Sequence, residues 1–352
     1  VELNRDFSGA EISIKDKDQN FEWIVGTSIQ DQKDDRKRFE NNEGEKGAIT
    51  LDQIESFRSY GAFALASYNK ENYSIQSGVR FDLHEISLDD NVGIDQQYVE
   101  YSKSLKAFSP NIGFIYNLNK NDEVYLNYGK SYETPSLSEL SANPNGVGFN
   151  GDLNPMNSSG FDLGFRNKSQ NLSYSITAFY INTKDEIVRY ELEGFEGMNF
   201  YRNLGTSKRI GTEMEVSYNL GNSGVLNASY TQAKYEFKNQ EVSGDLPGIP
   251  KSNFALKWLY GYKDFDLKLD LKYVNSLYAD NNNEVKVPSY LLSNIALKNK
   301  FNFKGFLLEV GLHLRNLLNE KYYDNIRTNA FGNRFYEPAS LRSFILSIKT
   351  AF

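Results

Sequence analysis

Two stretches of the chain combine tyrosine rings with arginine guanidinium groups. Together such groups hold anionic, partly aromatic ligands by stacking and by bidentate hydrogen bonds. The first stretch surrounds residues 190–206 and the second covers residues 316–340. Together with Tyr132, which precedes both stretches, they predict a ligand-binding surface formed by Tyr132, Arg189, Tyr190, Tyr201, Arg202, Tyr322, Tyr323, Arg327, Arg334, Phe335 and Tyr336.

Each of these residues also has a less specific interpretation. Tyrosines at strand ends form the interfacial girdle of a membrane barrel, with the ring among acyl chains and the hydroxyl at the headgroups. For cations near the first stretch, including Lys208 and Arg209, the alternative is a side chain that faces solvent or lipopolysaccharide rather than a ligand. Both interpretations stay open at this point.

Other motifs suggest catalysis or cofactor binding, but the residues around them do not support these functions. Residues 146–151 match G-x-G-x-x-G but lie in a long loop with no amphipathic helix behind them. Residues 280–284 lack the Gly and the spaced Glu of a calcium loop, which indicates an exposed loop tip. Glu213 and Glu215 share one strand face, which a water-filled lumen tolerates without chemistry. We predict no catalytic residues, no metal site and no cofactor, and therefore not an enzyme.

Composition narrows the class of protein further. The 352 residues carry 39 Lys+Arg against 46 Asp+Glu, a net charge of −7, which argues against a nucleic-acid binder. There is no Cys and there are two His, so disulfides and thiolate metal sites are excluded. With 24 Tyr and 24 Phe the chain is too aromatic for disorder and too polar for an ordinary core. A large β-barrel has this composition, because its outward and inward residues alternate.

Period-two alternation recurs along the whole chain and indicates strands rather than helices. In 267–273, for example, three leucines and a tyrosine alternate with Lys268, Asp270 and Lys272. No window approaches the ~18 consecutive apolar residues of a membrane helix. About fifteen strands are predicted, near 2–14, 21–30, 55–68, 73–88, 107–118, 122–132, 159–167, 171–189, 207–220, 224–238, 252–261, 265–277, 289–299, 305–315 and 341–352.

The predicted connections alternate between tight turns and long loops. The tight turns lie at 15–20, 69–72, 119–122, 167–171, 220–224, 261–264 and 300–305. The long loops run through 31–54, 89–106, 133–158, 190–206, 239–251, 278–288 and 316–340. This sorting is typical of an outer-membrane barrel, with turns at the periplasmic side and loops outside. A β-sandwich or a soluble β-solenoid remains the alternative on pattern alone.

An odd number of strands conflicts with closure of a single-chain barrel. An open edge in a bilayer leaves backbone groups unsatisfied. We therefore expect further strands on an N-terminal piece that precedes Val1, while the last strand ends at Phe352.

Seven segments, in this order, resemble the C-terminal part of TonB-dependent outer-membrane receptors, in particular those that import ferric siderophores. They are 128–140 (YGKSYETPSLSEL), 154–165 (NPMNSSGFDLGF), 178–187 (AFYINTKDEI), 201–213 (YRNLGTSKRIGTE), 246–251 (LPGIPK), 316–323 (NLLNEKYY) and 337–344 (EPASLRSF). Each one alone is weak, but seven in order over about two thirds of the chain make the resemblance specific. The first hundred residues match only as generic barrel strands.

The resemblance implies a transmembrane antiparallel barrel of twenty-two strands around an N-terminal plug. Residues 1–352 would be the C-terminal portion, roughly strands eight to twenty-two, without the plug and its TonB-contacting segment. The implied location is the bacterial outer membrane, with outer-membrane lipid and lipopolysaccharide around the barrel. Haem importers of this family keep a His in the loop after the Pro-Ser-Leu segment, and no His occurs between His84 and His313. Haem is therefore disfavoured as ligand.

The expected function is active import of a ferric siderophore with energy from the TonB complex, transmitted through the plug. Import of another scarce nutrient, such as a cobalamin or an oligosaccharide, is the alternative within the class. A passive porin and a soluble β adhesin are the alternatives outside it.

Overall fold

Consecutive strands pair along almost the entire chain in the computed structural model, which describes residues 1–91, 99–145, 148–195, 197–238 and 243–351. The strands are Glu2–Lys17 (β1), Phe21–Asn42 (β2), Glu45–Asn69 (β3), Tyr73–Asp90 (β4), Val99–Asn117 (β5), Asp122–Glu133 (β6), Met156–Lys168 (β7), Leu172–Lys184 (β8), Ile187–Tyr190 (β9), Phe200–Asn203 (β10), Thr206–Asn219 (β11), Val225–Lys238 (β12), Ser243–Asp245 (β13), Ser252–Tyr262 (β14), Phe265–Val274 (β15), Leu277–Tyr278 (β16), Lys286–Val287 (β17), Tyr290–Phe303 (β18), Phe306–Arg315 (β19), Tyr323–Ile326 (β20), Tyr336–Pro338 (β21) and Ser343–Ala351 (β22). The helical elements are α1 (Leu137–Leu140) and two 3₁₀ turns at Gly221–Ser223 and Phe331–Asn333.

The main sheet has the order β1-β2-β3-β4-β5-β6-β7-β8-β11-β12-β14-β15-β18-β19-β22, and β13 adds to β12. The pairs β9–β10, β16–β17 and β20–β21 form separate two-stranded sheets. The expectation of an all-β fold built from about fifteen strands is confirmed, and each predicted strand has a counterpart. The seven predicted tight connections are short turns.

Apolar side chains lie exposed along the strands and alternate with polar ones. On β22, Phe344 is 74% exposed and Ile348 is 65% exposed, and Ser347 and Lys349 alternate with them. Such a face is stable only against an apolar medium, because leaving it in water forfeits the free energy of burial. Within the described ranges, no helix is long and apolar enough to cross a membrane.

The predicted loop at 31–54 is wrong, because β2 and β3 continue as a long hairpin to a two-residue turn at Glu43 and Gly44. Both turn residues have positive φ, 58° and 103°, as a tight hairpin turn requires. The charged sequence hides the strands from a hydrophobic pattern. Charged side chains on the two strands instead form ion pairs across the hairpin, for example Lys37 with its register partner Asp52.

Two further predictions need correction. Residues 280–284 are only partly an exposed tip: Asn282 and Glu284 are exposed, but Asn281 is buried, and the Asp280 carboxylate accepts hydrogen bonds from the backbone N–H groups of Glu284 and Val285. The predicted loop at 89–106 is partly strand, since β5 begins at Val99. Residues 92–98 and 239–242, Gly146 and Val147 of the glycine-rich loop, and Phe352 lie outside the described residues.

The chain divides into two compact units. The first unit comprises Val1–Ile115, Asn127–Phe161 and Asn182–Thr206. Its core joins β4 and β5 to α1 and the following loop, through Ile86, Leu88, Leu105, Leu137, Leu140, Phe149 and Leu153. The helix α1 begins with a capping box, in which Ser136 and Glu139 satisfy each other's backbone N–H groups.

The second unit comprises Tyr116–Leu126, Asp162–Ile181 and the chain from Ser207 onward. A small core of Ala279, Val287, Ala330 and Phe335 lies under its long connections. Asn316 and Asn319 both have positive φ, 50° and 54°, at the end of β19. The buried Asn316 amide donates to the carbonyls of Glu320 and Ser340, which ties the start of the 316–340 connection to its end.

Candidate ligand-binding loops

The β9–β10 hairpin positions the first group of predicted site residues. The predicted strand at 171–189 is broken at Asp185, whose φ of 57° ends β8 one residue earlier. The side chain of Asn203 donates to the carbonyl of Asp185 at 2.8 Å and to that of Asn154 at 2.9 Å. The hairpin is therefore anchored at its base by side-chain hydrogen bonds as well as by its own ladder.

The hairpin divides the four predicted residues between its two faces. Arg189 and Tyr201 are register partners, whereas Tyr190 pairs with Phe200 on the other face. Arg202 lies on the same face as Tyr190, with its guanidinium carbon 5.4 Å from the centre of the ring. The exposed Arg202 and the half-buried Tyr190 thus form a cation–π pair.

The opposite face packs inward. The rings of Tyr201 and Tyr132 both contact the first unit's core. Burial raises the pKa of Tyr201, the charge of Glu139 raises it further, and the charge of Arg189 lowers it. At neutral pH Tyr201 is therefore a neutral hydroxyl. Tyr132 stacks on His84, with ring centres 6.3 Å apart.

Lys208 and Arg209, which the sequence associates with the same stretch, lie on β11 rather than on the hairpin. Their register partners on β12 are Glu236 and Tyr235. The pairing of Lys208 with Glu236 places a carboxylate beside the cation on the same face. These two cations therefore belong to the wall of the sheet.

The β20–β21 pair positions the second group. Tyr323 and Tyr336 stack with ring centres 4.4 Å apart and planes at 28°. Arg327 Nε donates to the carboxylate of Glu337 at 2.6 Å, and Arg334 Nε donates to the carbonyl of Phe331 at 3.2 Å. Tyr336, Arg327 and Arg334 are exposed, so this connection presents an aromatic ring and two guanidinium groups to solvent.

Phe335 and Tyr322 differ from their neighbours in exposure. Phe335 is only 6% exposed and belongs to the second unit's small core, so its ring supports the connection rather than facing solvent. Tyr322 stacks on Tyr290 at 4.7 Å. Burial raises the pKa of Tyr322, and the charge of Asp324 adds to this effect.

Sequence reasoning missed a polar recess of about 370 Å³ in the first unit. His84 stacks on Phe57 there, with ring centres 5.3 Å apart, and Arg80 forms an ion pair with Asp82 at 2.7 Å. The signal was present, because the alternation of 73–88 puts Arg80, Asp82 and His84 on one polar face. No sequence pattern indicates that the rings of Phe57 on β3 and Tyr132 on β6 stack on His84.

A second missed feature is the buried polar cluster on the β2–β3 hairpin. Arg36 Nε lies 2.9 Å from a Glu55 oxygen, and these side chains are 10% and 0% exposed. Arg36 also donates to the hydroxyl of Ser138 at 3.5 Å. Asp34 is held by Arg5 through two hydrogen bonds of 2.7 and 2.8 Å. The cluster links the hairpin to the loop that carries α1.

The comparisons with known proteins agree with this architecture. The family model described as TonB dependent receptor-like, beta-barrel matches residues 4–317, and the chain belongs to this family. It is thus a TonB-dependent receptor barrel of the outer membrane, and this family is not enzymatic.

Individual relatives are distant and differ in their substrates. The catecholate siderophore receptor Fiu of Escherichia coli (strain K12) is 24% identical over 264 residues, 72% of this chain and 34% of that protein. The vitamin B12 transporter BtuB of Vibrio vulnificus (strain CMCP6) is 24% identical over 233 residues, 64% of this chain and 35% of that protein. The chain spans about a third of the length of these curated relatives. The solved structure of the copper transporter OprC matches with a TM-score of 0.78 at 16% identity, covering 98% of this chain and 56% of that one.

Proposed function

We propose that the chain is the C-terminal barrel portion of a receptor that imports a ferric siderophore with TonB-derived energy. In this proposal an N-terminal segment or a separate chain contributes the remaining strands and the plug, through which the TonB complex acts. The similarity to a receptor named for catecholate siderophores supports this ligand class. Membership of the receptor family favours it over a passive porin or a soluble adhesin.

One observation carries the choice of ligand: each of the two hairpins presents a tyrosine ring together with an exposed guanidinium group. In the first hairpin these are the cation–π partners Tyr190 and Arg202, and in the second they are Tyr336, Arg334 and Arg327, all three exposed. A ferric catecholate is anionic and carries flat aromatic rings, so stacking and charge-assisted hydrogen bonds act on it together. Within the predicted set we assign direct contact to these exposed residues, and support of the loops to Tyr132, Tyr201 and Phe335.

The test is equilibrium binding of radioactive ferric tris-catecholate to outer membranes that contain the complete receptor. Replacing Arg202 or Arg334 by Ala is expected to weaken binding about tenfold, because a hydrogen bond to a charged group contributes roughly 1.5–3 kcal/mol. Lys321→Ala is the matched control, since Lys321 is an exposed cation of the same 316–340 connection. Unchanged binding in both arginine variants contradicts the site assignment.

The similarity to a vitamin B12 transporter supplies the competing candidate. Cyanocobalamin and ferrioxamine B are therefore included as parallel ligands. Neither carries the combination of negative charge and catechol rings, so we expect both to bind much more weakly than the ferric catecholate. If cyanocobalamin binds tightly and neither ferric complex binds, the assignment of a ferric siderophore as ligand is wrong, whereas the assignment to the receptor family is unaffected. An oligosaccharide remains a further candidate within the family only if all three ligands fail to bind.

A further inference from the structure

A second candidate surface lies on the first unit and contains none of the hairpin residues assigned above. It is a groove of about 330 Å³ where β6, β7 and β8 lie side by side. Its lining consists of Tyr128, Lys130, Asn157, Ser158, Ser159, Asn182 and Lys184. Nothing in the proposed import function uses these residues.

Alternation along the strands places the groove on the apolar, lipid-facing side of the sheet. On β6, Lys130 follows the 46% exposed Tyr128 on the same face. On β7, Ser159 shares its face with the 48% exposed Phe161. On β8, Lys184 shares its face with the exposed Ile176. Because the apolar members of these faces contact acyl chains in a membrane barrel, the groove opens toward lipid.

The groove lies at the outer limit of the apolar band. Lys130 is roughly 26 Å along β6 from the tight-turn end at Asp122, and Lys184 is roughly 40 Å along β8 from Leu172, at about 3.3 Å per residue. With strands tilted by about 35–45°, these lengths correspond to roughly 20 and 30 Å along the membrane normal, which bracket an apolar band of about 25 Å. The residues change there from apolar and aromatic to polar on all three strands. This is the depth of lipid headgroups.

The charge of the groove is positive and uncompensated. Lys130 and Lys184 contribute two ammonium groups, and none of the lining residues is acidic. Across the described part of the chain, neither lysine forms an ion pair within 4.0 Å. Asn157, Asn182 and Ser159 add hydrogen-bond donors, so the lining matches an anion with several oxygen atoms.

We propose that this groove binds the phosphate-bearing headgroup of an anionic outer-leaflet lipid. The lysines and amides would hold the phosphate, while the acyl chains would lie along Tyr128 and Phe161 below it. Charge complementarity selects an anionic headgroup over a zwitterionic one. The apolar surface continuous with the groove selects a lipid over a free phosphate ion, which gains nothing from it.

The experiment uses the complete receptor, purified from outer membranes and delipidated in non-ionic detergent. Binding of short-chain phosphatidylglycerol, short-chain phosphatidylcholine and inorganic phosphate is measured by native mass spectrometry. The double variant K130Q/K184Q removes both charges at nearly constant size, and K130R/K184R retains them. The control K120Q/K304Q removes two charges from exposed tight-turn positions. Heat-modifiable mobility on gels verifies that every variant is folded.

We expect phosphatidylglycerol to bind with an affinity on the order of tenfold lower in K130Q/K184Q, since each cation at an anionic membrane surface contributes a several-fold factor. The arginine variant and the turn control are expected to match the wild type. Equal affinity in K130Q/K184Q overturns the proposal. So does equally tight binding of phosphatidylcholine, or displacement of the lipid by inorganic phosphate at equal concentration. Ferric catecholate binding in K130Q/K184Q is expected to be unchanged, which separates this site from the import site.

Discussion

The buried Glu55 makes the docking of the α1 loop dependent on pH. Its side chain is fully buried on β3, 2.9 Å from Arg36 and beside Ser141 on the loop. Glu55 lies roughly 46 Å along β3 from the tight turn after Asn69, beyond the part that spans a membrane. Burial raises the pKa of Glu55 to about 6, the charge of Arg36 lowers it, and the charge of Asp34 raises it again.

The sign and size of the effect follow from linkage. A carboxyl pKa that rises from 4.5 in the open loop to about 6 in the docked loop means that docking favours the protonated form. The docked state gains its full stabilisation below about pH 4.5 and loses it as the pH rises through 6. The difference of about 1.5 in pKa corresponds to about 2 kcal/mol, or roughly a 30-fold change in the opening equilibrium between acid and neutral pH.

Hydrogen exchange at single amides measures this opening directly. The N–H groups of Leu140 and Ser141 are bonded to backbone carbonyls of Ser136 and Leu137 at 3.0 and 2.9 Å, so they exchange only when α1 opens. After correction for intrinsic exchange rates, protection in the wild type should decrease roughly eightfold between pH 5 and pH 8, because part of the change already lies below pH 5. The Glu55→Gln variant is expected to show a flat profile, because it carries no titratable group at this position.

Glu43→Gln serves as the control for this prediction, since Glu43 is exposed in the turn of the same hairpin. It should retain the wild-type pH profile. Protection that rises with pH in the wild type refutes the linkage, because the sign is then reversed. An equal pH dependence in the Glu55→Gln variant assigns the effect to another group.

Two further predictions concern stability. A Cβ at Gly164 would overlap the ring of Tyr125, so Gly164→Ala should destabilise the fold by about 1–3 kcal/mol and lower the temperature at which heat-modifiable mobility is lost. Gly129→Ala is the control, because a Cβ there meets no heavy atom closer than 4.0 Å, and an equal loss in both variants contradicts the packing argument. Asn316→Ala removes the amide bonds that close the 316–340 connection and should cost roughly 2–3 kcal/mol, detected as faster proteolysis of that connection. The exposed Asn282 provides the control substitution, and proteolysis at wild-type rates in Asn316→Ala would refute this role.

The strands were predictable wherever one of their faces meets lipid. In β15 apolar and polar residues alternate from Phe265 to Tyr273, because a slip of one residue would expose every apolar side chain on the wrong side. The hairpin formed by β2 and β3 was not predictable beyond about residue 30. Its outer part is stabilised by ion pairs such as Lys37–Asp52 and Arg36–Glu55, which a hydrophobic pattern does not detect.

The candidate site was predictable in composition but not in geometry. The sequence indicates which loops carry rings and guanidinium groups, but it does not assign them to a face. Arg189 and Arg202 are thirteen positions apart and differ in orientation because of the register of β9 with β10. Phe335 and Tyr336 are neighbours, yet the first is buried in a core and the second is exposed.

The sequence by itself determined the all-β class, the long strands of the main sheet and the seven tight turns between them. These properties depend on local chemistry and on the contrast between a lipid face and a polar face, which repeats every second residue. Only the tertiary structure decided the interior of the long connections and the partners of the buried charges. Those depend on contacts between residues far apart in the chain, such as Glu55 with Arg36 and Ser141, for which no local pattern exists.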